Sequence, residues 1–328
     1  GVSLVRLFAP EHGLAAALDG KVADSTDPAT GLPVVSLYGE KKRPSAKDLE
    51  GLDAVVVDLQ DAGVRFYTYL TSMGYVMEEC AKAKVGVVVL DRPNPIGGEV
   101  VEGPPADPDR LSFVAVHTLP VRTGMTIGET ARMLNEERKI EATLTVVALR
   151  GWKRSLWYDE TGLPWVNPSP NLRSVTQAAL YPGVALLETT NVSVGRGTDA
   201  PFEHFGAPWI DAERLARTLG VRNIPGVRFT PVQFTPSSSR YAGEVCRGVR
   251  VTVTDRSALR SVTLGVEIAT ALRDLHPSDW KRERLGELLG SAAALARFER
   301  GEPASQVVSG WAAEQMEFER RRARFLLY

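Results

Sequence analysis

Short apolar runs alternate with amphipathic segments through the first half of this chain. Val5–Phe8, Val34–Leu37, Ala54–Leu59, Val85–Leu90 and Leu144–Ala148 have the length and β-branched content of buried strands. Between them, Thr71–Lys84 sets Met73, Tyr75, Val76, Met77, Cys80 and Ala83 at roughly helical spacing. Thr126–Glu137 opens on a threonine with Glu129 three residues on, a capping-box signature for a second helix. Strand, helix, strand in that order predicts an α/β fold with a parallel sheet and right-handed crossovers. The texture changes from Gly151, where Trp152, Trp157, Tyr158, Trp165 and the proline-rich WVNPSPN make a long loop. That loop predicts a domain junction, with one domain over residues 1–150 and another over 151–328. Beyond it, Pro208–Leu219 and Leu259–Leu275 read as helices, Val249–Thr254 as an alternating strand, and Ala312–Leu327 as a charged amphipathic helix.

The strand ends are where the polarity changes abruptly. Val55–Tyr69 (VVVDLQDAGVRFYTY) passes from a buried-strand run into Asp58, Gln60, Asp61, Arg65, Tyr67 and Tyr69. Val85–Leu90 runs into Asp91, Arg92, Pro93, Asn94 and Pro95, and Val5–Ala9 into Pro10, Glu11, His12 and Gly13. In α/β sheets ligands bind beyond the carboxyl ends of the strands, so polar side chains gathered there are candidates for chemistry.

Composition narrows that chemistry. With 328 residues, 44% of them hydrophobic, the chain can bury a full core. Its 39 basic and 40 acidic residues leave a net charge of −1, which offers no electrostatic footprint for nucleic acid or an anionic membrane. A neutral or modestly charged small ligand fits better. No stretch approaches the roughly 18 apolar residues of a membrane span, and no signal-peptide pattern is visible in this chain. Cys80 and Cys246 match no metal or redox spacing and read as ordinary thiols, and the four histidines (His12, His117, His204, His276) are scattered.

Four constellations stand out. Glu11 lies in a tight FAPEHG turn, placed either as a proton donor or as a cap or salt-bridge partner, with His12 as its orienting neighbour. In LQDAGVRFYTY, Gln60, Asp61 and Arg65 can bond hydroxyls or a carboxylate, and Tyr67 and Tyr69 offer rings to a sugar face. Asp61 and Arg65 also stand at helical i, i+4 spacing, which suits a structural ion pair equally well. LDRPNPIGG and VEGP hold Asp91, Arg92, Asn94 and Glu102 in a stiff loop that serves as a ligand site or simply as a turn. Finally, WVNPSPN and ETTNVSVGRGTDAPFEHFG carry Asn171, Glu188, Arg196 and Glu203. VGRGT lacks the lysine and spacing of a phosphate loop, and an arginine between two glycines suits a carboxylate better. Carboxylates, amides and aromatics without clustered His or Cys suit carbohydrate recognition and glycoside hydrolysis rather than metal chemistry.

PEHG (Pro10–Gly13), SLYG (Ser36–Gly39), DLQDAGVRFYTY (Asp58–Tyr69), LDRPNP (Leu90–Pro95), VEGP (Val101–Pro104), GMTIGE (Gly124–Glu129), WVNPSPN (Trp165–Asn171), VGRGT with PFE, and CRGV (Cys246–Val249) resemble, in order, the exo-β-N-acetylmuramidase family. The resemblance implies a Rossmann-like catalytic domain joined to a smaller auxiliary α/β domain that closes a cleft. It implies an exo-acting glycoside hydrolase that releases N-acetylmuramic acid from the non-reducing end of peptidoglycan glycans, with no cofactor and no metal. Carried over by position, Glu11 becomes the catalytic carboxylate and Asp61 the best choice for a second acid. His12, Gln60, Arg65, Tyr67, Asn94, Asn171, Arg196 and Glu203 become substrate-binding neighbours. Leu14-Ala15-Ala16 after PEHG, and Thr123 before GMT, depart from the family pattern. Family members begin with a further strand and helix, so the N-terminal part of the family domain is expected to lie outside this chain. The resemblance also implies a secreted or periplasmic location and saccharide partners derived from peptidoglycan, with no nucleic acid and no membrane span, and it leaves a homo-oligomer open. A non-catalytic cell-wall amino-sugar binding protein is the rival reading. A metal-dependent deacetylase or esterase is a third, disfavoured by the scattered histidines.

Overall fold

The computed structural model describes residues 1–328. In chain order its strands are β1 (Leu7–Ala9), β2 (Ser25–Thr26), β3 (Pro33–Ser36), β4 (Ala54–Val57), β5 (Gly86–Leu90), β6 (Glu102–Pro105), β7 (Pro120–Arg122), β8 (Leu144–Val147), β9 (His204–Ala207), β10 (Val227–Phe234) and β11 (Cys246–Val253). The chain forms two compact units, each assembled from separated stretches. One comprises Gly1–Glu99, Gly124–Arg173 and Arg322–Tyr328, the other Val100–Thr123 and Ser174–Arg321. The aromatic loop after Gly151 thus belongs to the first unit as far as Arg173, and the second unit reaches back to Val100.

In the first unit β4, β5 and β8 form the parallel sheet that the alternating pattern predicts, with Val55 opposite Val87 and Val89 opposite Val146. Tyr69–Ala83 and Ile127–Glu137 are the two helices expected from their apolar spacing, and both lie against β5. They bury Met73, Met77, Cys80, Ala131 and Leu134 over Val87 and Val89. The run Ala54–Leu59 reads as a buried strand, and central parallel strands are usually covered on both faces. The structure covers one face: Val55 and Val57 are buried, whereas Ala54 and Val56 are exposed. The first predicted strand also lies elsewhere, since β1 pairs in parallel with β3, and β2 closes that second small sheet antiparallel. Ala9, Val22 and Val34 make its apolar cluster.

The second unit is built around the antiparallel sheet β10-β11-β9. Residues 247, 249 and 251 of β11 point to one face, where Val249 and Val251 are buried under the helix Ala212–Gly220. Helices Val175–Val184 and Ser261–Leu275 meet so closely that a Cβ on Gly183 would lie 1.8 Å from the Ser261 carbonyl oxygen, which only glycine permits. Cys80 and Cys246 are buried free thiols, in different units. No helix is long and apolar enough to cross a membrane.

Candidate active site

β1 ends at Pro10, which has no N–H to continue a ladder, and the chain turns at once with Gly13 N donating to the Pro10 carbonyl (3.1 Å). The turn requires left-handed backbone at two successive residues, His12 (φ 72°) and Gly13 (φ 73°). For a histidine that conformation is costly and has to be held in place by its surroundings. His12 Nδ1 donates to the Leu18 carbonyl (2.7 Å), and Leu18 N donates back to the His12 carbonyl (3.1 Å). The half-buried Glu11 carboxylate is fixed from a different direction, by the Thr68 hydroxyl, which donates to its Oε2. Thr68 precedes helix Tyr69–Ala83 with helical backbone angles (φ −70°, ψ −8°), so its side chain makes no capping bond and its hydroxyl is turned toward Glu11.

The same segment supplies the site's other groups. Residues 58–68 are irregular and the helix begins at Tyr69, so Asp61 and Arg65 are not neighbours along a helix, contrary to their i, i+4 reading. Asp61 closes a tight turn instead, its Oδ2 accepting from Gly63 N (2.6 Å), while Oδ1 is buried with no hydrogen-bond partner. Burial pushes the Asp61 carboxyl up to about 7, against the lowering pull of the backbone N–H groups of Gly63 and Ala62. Asp61 and Glu11 both bear electrostatically on the Tyr69 hydroxyl, whose pKa burial pushes up to about 12. Gln60 Nε2 donates to the carbonyls of Asp61 (2.8 Å) and Pro93 (3.0 Å), leaving Oε1 buried and unbonded. Arg65 is 1% exposed.

Other residues singled out in the sequence have structural work. Tyr67 and Tyr69 are buried, packed edge to face at 4.7 Å, and both hydroxyls donate to the Pro168 carbonyl (2.5 and 3.0 Å). They therefore brace the site from inside, where the sequence reading offers their rings to a sugar face. Asp91 and Asn94 turn inward too. Asp91 accepts from Thr126 Oγ1, Gly128 N and Tyr328 Oη (2.7 Å each), and Asn94 bonds Met125 O (2.9 Å) and Ile96 N (3.1 Å). Gly63 must be glycine beside this asparagine, since its φ is 75° and a Cβ would lie 2.3 Å from Asn94 Oδ1. Asn171 Nδ2 donates to Asp19 Oδ2 (3.1 Å). Glu11, His12, Gln60, Asp61, Arg65, Tyr67, Asn94 and Asn171 thus all belong to the first unit. Arg196 and Glu203 belong to the second, where Arg196 pairs with Glu188, and Glu203 accepts from Gln177 Nε2 (3.0 Å). Sequence reasoning passed over Thr68, whose only signal was a capping residue type at a helix start, and the Pro168 carbonyl, which has none.

An α/β chain with two carboxylates set beyond its strand ends, one anchored by a hydroxyl and one buried, presents the kind of groups used by hydrolases that work by proton transfer. Family comparison specifies which. The N-terminal model of the exo-β-N-acetylmuramidase NamZ matches residues 1–176 and the C-terminal model residues 179–328, and the chain belongs to that family. It is 40% identical to the peptidoglycan β-N-acetylmuramidase NamZ of Bacillus subtilis (strain 168), over 100% of this chain and 80% of that protein. Crystal structures of two Bacteroides fragilis proteins of the family designated DUF1343 superpose on 99% of the chain and 86% of their own. Their TM-scores are 0.90 and 0.78, at 35% and 31% identity.

Proposed function

We propose that Glu11 is the proton donor with which this exo-acting glycoside hydrolase releases N-acetylmuramic acid from the non-reducing end of peptidoglycan glycans. The observation that carries the assignment is the Thr68–Glu11 hydrogen bond, which fixes the carboxylate just beyond the end of β1. A hydroxyl donating to one carboxylate oxygen leaves the other free to carry the proton, and fixes the direction in which it is delivered. As the glycosidic oxygen takes that proton and the bond to the anomeric carbon breaks, positive charge develops on the sugar ring. Asp61, ionised, steadies that charge or takes a proton from the attacking water. Gln60, through its unbonded Oε1, accepts from a sugar hydroxyl or amide. A secreted or periplasmic location accompanies this reading, because its substrate is cell-wall material.

A second assignment, with the two acids exchanged, is favoured by one observation: it is Asp61 whose pKa burial raises to about 7, the range of a general acid. The two differ in the sign of a pH effect. With Asp61 as base, kcat/KM rises as pH passes through about 7, and with Asp61 as acid it falls.

The test is a chromogenic β-N-acetylmuramide, run beside the matching glucosaminide. Muramide turnover with the glucosaminide left intact is expected. Glu11→Gln should lose about 10²-fold or more in kcat, the range general acid catalysis supplies, with an unchanged circular dichroism spectrum. Turnover at the level of the unaltered protein in that variant ends the assignment of Glu11.

A further inference from the structure

Beyond the site around Glu11, the second unit holds an open cavity of about 600 Å³ lined by Trp209, Asp211, Glu213, Pro231, Gln233 and Arg247 among others. Its position follows from register. Gln233 pairs directly with Arg247 across β10 and β11, and Arg247 with Ala207 across β11 and β9, so the two polar side chains stand together on one face. That is the face on which Val249 and Val251 are buried under helix Ala212–Gly220. The helix starts beyond this end of the sheet, with Asp211 as its N-cap, and Gln233 and Arg247 lie exposed. Pro231, two residues from Gln233, continues the same face.

One aromatic wall is built to stay in place. Trp209 is half-buried, and its indole Nε1 donates to the Tyr241 hydroxyl (3.3 Å), which in turn donates to the Asn191 carbonyl (2.8 Å). The buried imidazole of His276 meets the indole at 5.3 Å between ring centres, at 64°. With its N–H already satisfied, the ring offers the cavity only an apolar face, fixed before any ligand arrives. Around it the chemistry is mixed: Arg247 and the Gln233 amide donate, and Glu213, Asp211 and the Gln233 carbonyl accept. Carboxylates and a guanidinium side by side suit neither a strong anion nor a strong cation. They suit a ligand with an apolar face and a rim of hydroxyl and amide groups, the description of a pyranose ring.

We infer that the Trp209 cavity is a second saccharide-binding site, one that holds a neutral stretch of amino-sugar chain by stacking a ring on the indole and bonding its hydroxyls to Gln233, Arg247 and Glu213. This takes from the proposed activity only the kind of glycan. The site grips polymer and is not needed to turn over a single sugar.

The experiment uses the whole chain and two probes. Binding is measured by calorimetry with a β-1,4-linked N-acetylglucosamine tetramer, and catalysis separately with the chromogenic β-N-acetylmuramide. The expected result is saturable binding of the tetramer, weakened at least tenfold by Trp209→Ala and by the exposed-surface double variant Gln233→Ala/Arg247→Ala. Trp209→Phe should restore most of the affinity, and all three should turn over the muramide at the rate of the unaltered protein. Failure of the tetramer to bind the unaltered protein overturns the site, as does equal binding by the double variant. A parallel loss of muramide turnover in the folded double variant also overturns it, by assigning the cavity to the catalytic centre. Absence of muramide turnover in the unaltered protein, with tetramer binding intact, rejects the proposed activity and leaves the cavity standing.

Discussion

Asp61 carries a charge that the fold resists. Its carboxyl is pushed up to about 7 by burial, whereas the unfolded chain releases that proton near the ordinary carboxylate value of about 4. Below both values the proton is bound in either state and the folded protein keeps its full advantage. Between them only the folded protein holds it, so stability declines as pH rises toward and through 7, by up to a few kcal/mol in all. Asp61→Asn retains an acceptor for Gly63 N and has no proton to lose. Its melting temperature should be nearly the same at pH 5 and pH 8, while that of the unaltered protein drops across the same interval. The variant should also lose the limb near pH 7 from the activity profile, which links the structural cost to the chemistry. Glu11 was legible in the sequence because a strand end, a proline and a glycine mark its turn. Thr68 was not, since its hydroxyl had two uses and only the fold decides between them. The helical i, i+4 spacing of Asp61 and Arg65 has no counterpart in the fold, because the chain makes a turn there.

Helix Ile127–Glu137 shows how a correct local reading can mislead about neighbouring residues. The capping box forms as its sequence predicts, with Thr126 Oγ1 accepting from Glu129 N (3.2 Å) and Glu129 Oε2 from Thr126 N (3.0 Å). What sequence spacing could not reveal is that Asp91, at the end of β5, caps the same helix through Gly128 N and Thr126 Oγ1. An acid at a strand end reads as ligand chemistry, and here it joins sheet to helix. The Tyr328 hydroxyl completes the arrangement, donating to Asp91 and accepting from Leu149 N (2.8 Å). Tyr328→Phe leaves a backbone donor and a buried carboxylate short of one bond each, and should cost about 1–3 kcal/mol, read as a lower urea midpoint with unchanged slope. The strands β4, β5 and β8 and the two helices beside them were readable because their apolar residues run or recur at the spacing those elements need. β10 was not, since Pro231 interrupts its alternation and only pairing with β11 makes it a strand.

At the scale of the molecule, the composition of the first unit is the feature least visible beforehand. The amphipathic pattern of residues 312–327 announces a helix without saying what it packs on, and the helix in fact stops at Arg322. From there the last seven residues serve the first unit. Arg322 donates to the carbonyls of Gly98 (3.2 Å), Gly124 (3.0 Å) and Glu99 (3.2 Å), and Leu327 N to Glu129 Oε1 (2.8 Å). Arg132 holds the Phe325 carbonyl (2.8 Å), and the Tyr328 ring packs against Trp152 at 5.2 Å. A fragment ending at residue 176, where the N-terminal family model stops, keeps Glu11 and Asp61 but lacks all of these contacts. It should melt well below the full chain or stay unfolded in circular dichroism, and partial recovery on adding a peptide of residues 322–328 would trace the defect to them. Because Arg322–Tyr328 belong to the unit that carries Glu11, the body around the acid gains its full set of contacts only once residues far apart in sequence have met.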